Sequence, residues 1–269
     1  MPGSGDSRLA KTVGGVSGLA RKFLARVALG ERHRCVMCGH RVGSFLPYNG
    51  GWSAAPPLMR ALDVVGSDLD RFGCPWCGAH DRERHLLLYM RATGLMDRLS
   101  GMDVLHFAPE RHLGREIARV RPRSYRKGDL YPVAADVERM DLLAIPCAAE
   151  SFDLVIANHV LEHVADDLAA VREIRRVLRP GGQAILQTPF SATLHRTWSD
   201  PGIDTDGARL QAYGQEDHVR LFGRDIFERF ASVGLVGCGG SHDELLGNCD
   251  ATKYGVNPQE PFFLFRRPA

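Results

Sequence analysis

The segment from Ser151 to Pro189, SFDLVIANHVLEHVADDLAAVREIRRVLRPGGQAILQTP, admits few folds. Phe152 to Ala157 is a short apolar run rich in β-branched residues, bounded by acids on one side and by Asn158 and His159 on the other. That is the pattern of a strand buried on both faces in a parallel sheet. Leu168, Val171, Ile174, Val177 and Leu178 then recur at three- and four-residue spacing. Asp166 and Asp167 lie near the start of this stretch and Arg175, Arg176 and Arg179 near its end, which suits the dipole of a helix. Pro180-Gly181-Gly182 is expected to stop the helix and Ala184 to Gln187 to form the next strand. Strand, helix and strand in this order make a right-handed crossover, so the expected fold class is α/β, with a doubly wound, Rossmann-like, mostly parallel sheet. Ligands of such sheets gather at the carboxyl ends of the strands, which places Asn158, His159 and Pro189 at a site.

The rest of the 269 residues can hold one large domain, or a medium domain with a small attachment. A content of 44% hydrophobic and 25% charged residues is ordinary for a globular protein, and a net charge of +2 is too small to argue for nucleic acid by itself. No apolar run approaches the roughly 18 residues of a membrane span, and no signal-peptide core opens the chain, so a cytoplasmic location is expected. The Gly- and Ser-rich start reads as disordered. Leu19, Phe23, Val27 and Leu29 then suggest a basic amphipathic helix, either docked on its own domain or facing an acidic partner or membrane surface.

Cys35-Val-Met-Cys38 and Cys74-Pro-Trp-Cys77 are two C-x2-C pairs, each followed by glycine, at Gly39 and Gly78. A tight turn after the second thiolate lets backbone amides point at sulfur, and four thiolates in tetrahedral array suit Zn²⁺. A closed four-cysteine site has no open coordination position, so its expected role is structural. Phe45, Tyr48 and Trp52, among Gly and Pro between the pairs, either fill this module or wall a cleft. Cys147, Cys238 and Cys249 stand alone and are expected to be buried thiols. The domain reading is therefore a flexible and helical N-terminus over 1–34, a zinc-ribbon module over 35–80, and a catalytic domain over 81–269.

Within that domain Asp81 to Leu99 looks helical. Met102 to Phe107 is the next strand, a helix carries Leu113, Ile117 and Val120, and Tyr125 to Asp129 is a second β segment. Asp129 lies about twenty residues beyond the first loop, where doubly wound folds present an acid to ribose hydroxyls. Arg224 to Ser232 reads as a short helix, Leu235 to Gly239 and Pro261 to Phe265 as strands, and residues 190–223 as a helix-poor insert above the carboxyl edge of the sheet.

The series VLHFAPE, YRKGDL, MDLLAIP, SFDLVIANHVLEH and VLRPGGQAILQTP resembles class I S-adenosylmethionine-dependent methyltransferases of the broad type 11 group, over roughly Met102 to Ala269. Together with the C-x2-C ribbon and YGQEDHVRLFG, Tyr213 to Gly223, it is similar to a bacterial subgroup that carries an N-terminal zinc ribbon. The resemblance implies a seven-stranded methyltransferase sheet and S-adenosyl-L-methionine as cofactor. It implies that His106, Phe107, Ala108 and Glu110 wrap the methionine end, that Asp129 with Leu130 meets the ribose, that Asp141 and Leu142 flank adenine, and that Asn158 and His159 lie beside the sulfonium. The departure is in the first loop, where the family has an acid followed by glycines and this chain has His106, Ala108 and Glu110.

Methyl transfer to a hydroxyl uses alignment and a base near neutrality, for which His159, His163 and His218 are candidates, His159 being best placed by topology. An Asp217–His218 pair could act as an oriented base. His163, Phe190, Arg196, Trp198 and Arg220 are the expected substrate contacts, the two arginines suiting an acidic acceptor. The leading expectation is O-methylation of a small molecule or saccharide. The alternatives are an RNA or other macromolecular methyltransferase gripping phosphate through the zinc module, and a non-catalytic cofactor-binding protein.

Overall fold

A computed structural model describes Ala20, residues 22–26 and residues 33–269. Leu19, Val27, Leu29 and the Gly- and Ser-rich start lie outside the described residues. Two small β pairs flank the main sheet: β1 (His33–Arg34) with β2 (Arg41–Val42), and β3 (Val64–Val65) with β9 (Phe190–Ser191). The main sheet holds β4 (Asp103–Phe107), β5 (Ser124–Asp129), β6 (Glu138–Arg139), β7 (Phe152–Ala157), β8 (Leu178–Ile185), β10 (Val236–Gly237) and β11 (Leu264–Arg266). Their spatial order is β10-β11-β8-β7-β4-β5-β6. The strands from β4 to β8 run parallel, and β11 is antiparallel to both of its neighbours. The order reverses between the adjacent strands β4 and β7, and ligand sites of open α/β sheets form at such a switch point.

The alternation of β7 sorts its side chains onto two cores. Val155 and Ala157 face Val171, Ile174 and Phe230, whereas Leu154 and Ile156 face Leu86, Leu87, Leu113 and Ile117, and all of these are buried. Burial of each such Leu or Ile is worth roughly 1.5–3 kcal/mol, so the sheet is clamped by helices on both faces. The helix Asp167–Val177 is capped by Asp166, whose Oδ1 accepts the Ala169 N–H at 2.9 Å.

Three expectations are corrected here. The strand expected at Ala184–Gln187 starts at Leu178, directly after the helix, and ends at Ile185. Pro180-Gly181-Gly182 lies inside it as an irregularity, since Phe152 pairs with Leu178 and Leu154 already pairs with Gln183. Gly181 has φ 80°, a conformation that lets the strand make this excursion and continue. The helix expected over 81–99 breaks at Gly94, φ 65°, into Asp81–Ala92 and Leu95–Arg98. The insert over 190–223 is not helix-poor throughout, because Asp206–Tyr213 is a helix capped by Thr205.

The module over 35–80 is welded to the domain. Arg84, fully buried, donates to the carbonyl oxygens of Arg71, Phe72 and Ala79 on one side and of Tyr254 and Gly255 on the other, with Phe45 stacked at 4.0 Å. Glu83 joins the same helix to its neighbour Arg111–Val120, accepting the N–H groups of His112 and Leu113. Ala25 of the helical stretch 22–26 accepts the Gly43 N–H at 2.9 Å and Arg26 lies over Trp76, so this stretch docks on its own chain. Phe23 and Leu24 remain largely exposed, so the docking does not use the apolar stripe expected of an amphipathic helix.

The two inserts pack on one another. β3 pairs with β9, and Met59, Ala212, Tyr213 and Leu221 form one apolar cluster with Val64 and Trp198. Residues 57–65 and 190–222 thus make a common roof over the carboxyl edge of the sheet.

Candidate active site and cysteine cluster

The two C-x2-C turns have matching geometry. Cys35 N–H donates to His40 O and Gly39 N–H to Cys35 O; Cys74 N–H donates to Ala79 O and Gly78 N–H to Cys74 O. Gly39 and Gly78 have φ of 74° and 80°, so a side chain at either would strain the turn. The turns bring Cys35 Sγ to 3.8 Å from Cys77 Sγ and Cys38 Sγ to 3.9 Å from Cys74 Sγ, and one sulfur from each of the four lies within 4.8 Å of the others. A tetrahedron with metal–sulfur distances of about 2.3 Å has sulfurs about 3.8 Å apart. The donor set and its spacing therefore fit a Zn²⁺-sized ion. All four cysteines are free thiols, as are Cys147, Cys238 and Cys249. Contrary to expectation those three are not buried, and Cys238 is exposed.

At the switch point the loop after β4 and the end of β7 meet. Ala108 adopts φ 45°, the left-handed conformation for which a glycine was expected, and its N–H donates to Gly128 O. Beyond it Glu110 receives the Asn158 side-chain amide on Oε1, and its Oε2 lies 3.1 Å from His106 Nε2. His106 is wholly buried, with Nδ1 at 2.8 Å from the Tyr125 hydroxyl, so it supports Glu110 from beneath rather than facing solvent. Burial disfavours the Glu110 carboxylate, but the bond and charge of His106 outweigh this and hold its pKa below the ordinary value. Asp129 closes β5, with Oδ1 accepting the Tyr131 N–H at 2.8 Å, and its carbonyl receives the Met140 N–H, which brings Asp141 beside it. Leu130 is exposed, whereas Phe107 and Leu142 are buried. Glu110, Asp129, Asp141 and Asn158 thus share one edge.

Next to this edge, beneath the roof, lies a pocket lined by Trp52, Met59, Arg82, His159, Pro189, Tyr213 and His218, among others. His159 has φ 54° and is held there by its N–H bond to Gln187 O at 2.8 Å. A left-handed conformation costs a residue with a Cβ about 1–2 kcal/mol, strain of the kind found at functional sites. Its ring lies between two buried carboxylates, Nδ1 3.3 Å from Glu162 Oε1 and Nε2 3.5 Å from Glu260 Oε1. Burial and the nearby charge of Arg82 oppose protonation of His159, yet the two carboxylates prevail and raise its pKa. The same contacts bring Glu162 and Glu260 down to about 2 against the effect of burial. The two carboxylates therefore favour the charged form of the ring.

His218 is the opposite case. Its Nδ1 lies 3.0 Å from Tyr213 O, and a carbonyl only accepts, so Nδ1 carries the hydrogen and Nε2 the lone pair. That Nε2 is buried without a hydrogen-bond partner. Burial lowers the pKa of His218, favouring the neutral ring. Asp217 does not orient it: the carboxylate points away and pairs with His163 Nδ1 at 3.1 Å. The His163 ring instead meets His218 edge to face.

The other expected substrate contacts lie elsewhere. Arg220 is buried, with its guanidinium donating to the carbonyls of Leu161, Val164 and Ala165 and lying beside Asp167, so it orders the loop after β7. Phe190 packs edge to face on Phe263, Trp198 packs on Tyr213, and Arg196 is exposed outside the pocket. Met59, Arg82 and Tyr213 are pocket residues that sequence reasoning missed, and of the two readings of Trp52 the structure favours the cleft wall.

Residues 115–186 match a family model described as a methyltransferase domain. A probable S-adenosylmethionine-dependent methyltransferase of Mycolicibacterium smegmatis is 33% identical over 132 residues, 45% of this chain and 48% of that protein. An uncharacterized 37.1 kDa protein in transposon TN4556 of Streptomyces fradiae is 31% identical over 104 residues, 39% of this chain and 26% of its own. A ubiquinone biosynthesis O-methyltransferase of Cereibacter sphaeroides is 33% identical over 114 residues, 40% and 46% of the two chains. The matched regions thus span less than half the length of each of these relatives. Among the described residues no helix is long and apolar enough to cross a membrane.

Proposed function

We propose that this protein is an S-adenosylmethionine-dependent methyltransferase that methylates a hydroxyl of a small molecule, with a structural zinc in the four-cysteine cluster. The observation that carries the reading is the juxtaposition at one switch point of a polar edge suited to the cofactor and a roofed pocket holding an unpaired imidazole nitrogen. The matched segment 115–186 supplies β5, β6, β7 and all of β8, and therefore much of that edge.

When bound, S-adenosylmethionine supplies a methyl group on a sulfonium centre whose departure as a thioether is already favourable. The chain's residues fit it: the Glu110 carboxylate suits an ammonium group, Asp129 retains one oxygen for a ribose hydroxyl, and Asp141 suits an exocyclic amine. His218 Nε2 then takes the proton of the acceptor hydroxyl as the new bond to oxygen forms. His159, whose two ring nitrogens face Glu162 and Glu260, is less suited to that task. The apolar walls, Trp52, Met59 and Tyr213, exclude water from the reacting groups. Zinc would be held by Cys35, Cys38, Cys74 and Cys77, fixing the turn from which the helix Asp81–Ala92 departs.

Calorimetry with S-adenosylhomocysteine, followed by transfer of labelled methyl from S-adenosylmethionine to a panel of small hydroxylated acceptors, tests the reading. Binding in the micromolar range, about −8 kcal/mol, and label in at least one acceptor are expected. No binding by folded, zinc-loaded protein would sink the proposal.

A further inference from the structure

The pocket holds a donor left without a partner. Arg82, near the start of the helix Asp81–Ala92, lines it together with His159 and His218, and no acid among the described residues does so. The Nε of Arg82 is buried with no hydrogen-bond partner. Of the nearby acids, Asp81 accepts the Asp68 N–H on Oδ2 and has Oδ1 unpaired, and Glu110 is engaged with Asn158 and His106. Glu162 and Glu260 stand beside His159, Glu260 accepting from His85 and Gln187 and Glu162 Oε2 from the Thr188 hydroxyl.

A buried donor left unpaired is costly. Buried polar groups in folded proteins are otherwise paired, so the deficit marks the place of a missing partner. Here two independent features point to it, the unpaired Arg82 and the deeply buried His218 with a free Nε2. Apart from Ser67 and Gln215 the remaining walls are mostly apolar, which calls for a ligand with an apolar body.

We infer that Arg82 binds an oxyanion on the acceptor, so that the pocket takes a small hydroxylated molecule bearing a carboxylate or phosphate-type group on an apolar or aromatic frame. This rests on the methyltransferase reading and supplies its substrate class. The oxyanion lies against Arg82, leaving His218 for the hydroxyl that is methylated. Charge-assisted and fork-shaped, the guanidinium is the side chain best matched to such a group.

The test uses the full zinc-loaded chain in wild-type, Arg82→Gln and Arg82→Lys forms. The first measurement is S-adenosylhomocysteine affinity by calorimetry. The second, on protein saturated with S-adenosylhomocysteine, titrates salicylate and phenyl phosphate against the neutral salicylamide. Cofactor affinity is expected to hold within about threefold across the three forms, because the cofactor edge does not use Arg82. At least one anion is expected to bind at least about tenfold tighter than salicylamide to the wild type, to lose that preference in Arg82→Gln and to recover part of it in Arg82→Lys. A loss of about tenfold or more in S-adenosylhomocysteine affinity on Arg82→Gln would assign the arginine to the cofactor's carboxylate and overturn the inference. Absence of any anion preference in wild type, with S-adenosylhomocysteine bound, would overturn it too while leaving the methyltransferase reading intact. Failure of the wild type to bind S-adenosylhomocysteine would remove the reading on which it rests.

Discussion

Arg84 and Arg82 stand two residues apart on one helix and so face different parts of the molecule. Arg84 lies in the seam between the cysteine module and the C-terminal segment, where five backbone carbonyls take its donors. Arg82 lies at the pocket with its Nε unpaired, near His159 and the free Nε2 of His218. The seam is saturated and the pocket is left in deficit. Satisfied polar groups hold this protein together; unsatisfied ones indicate where something else binds. The predictions below probe the two regions in turn.

The largest effect belongs to the seam's anchor. Cys74→Ser removes one of four sulfurs spaced for zinc, and structural zinc is worth about 10–16 kcal/mol in small domains. Metal analysis should find less than one zinc per chain in the variant, and thermal melts should show the module lost. Full zinc occupancy in the variant would show that the four sulfurs are not the site. Arg84→Met comes next: it leaves five buried carbonyls without their donor, and by analogy with a broken buried charge network the expected loss is about 3–5 kcal/mol in denaturant unfolding. A loss under about 1 kcal/mol would mean that the seam is not closed by this arginine.

The anchoring region was legible because its chemistry is local in sequence. Two C-x2-C pairs with following glycines specify two turns, and the apolar, β-branched run of Phe152 to Ala157 specifies a strand whose end must carry Asn158 and His159 to the sheet's edge. The family resemblance added Glu110, Asp129 and Asp141, which do share that edge. The pocket was not legible because no stretch of chain contains it. Trp52 and Met59 come from the cysteine module, Arg82 from the following helix, Tyr213 and His218 from the late insert. What joins them is the pairing of β3 with β9, two-residue strands too short to announce themselves by periodicity. Arg196 and Arg220 drew attention as cations of the insert. Nothing in sequence separates a cation that ties down carbonyls, as Arg220 does, from one left for a ligand, as Arg82 is.

On the pocket side, His218→Asn should lower kcat by about 10²–10⁴-fold for any acceptor the wild type turns over, leaving S-adenosylhomocysteine affinity unchanged. The pH profile gives the sign. His218 works as a base only when neutral, and burial lowers its pKa below the ordinary 6.5. Activity should therefore be full at neutral pH and fall as pH drops through that lowered value, so the acid limb lies below 6.5. A limb above 6.5 would point instead to His159, whose pKa is raised.

The smallest effect is the one that separates two ways of orienting the base. Were Asp217 the partner of His218, as adjacent Asp and His residues invite, Asp217→Asn would mis-set the imidazole tautomer and cost orders of magnitude in kcat. In the structure Asp217 is largely exposed and meets His163, while the Tyr213 carbonyl fixes the hydrogen on His218 Nδ1. An exposed ion pair of this kind contributes about 0–1 kcal/mol, so Asp217→Asn should shift the melting temperature by no more than about 2–4 °C and kcat by less than about threefold. The acid limb of the pH profile should stay where it was, since the bond that sets the tautomer runs through backbone. A drop of about a hundredfold or more would place the orienting group on the solvent side of the pocket and remove the carbonyl from that role.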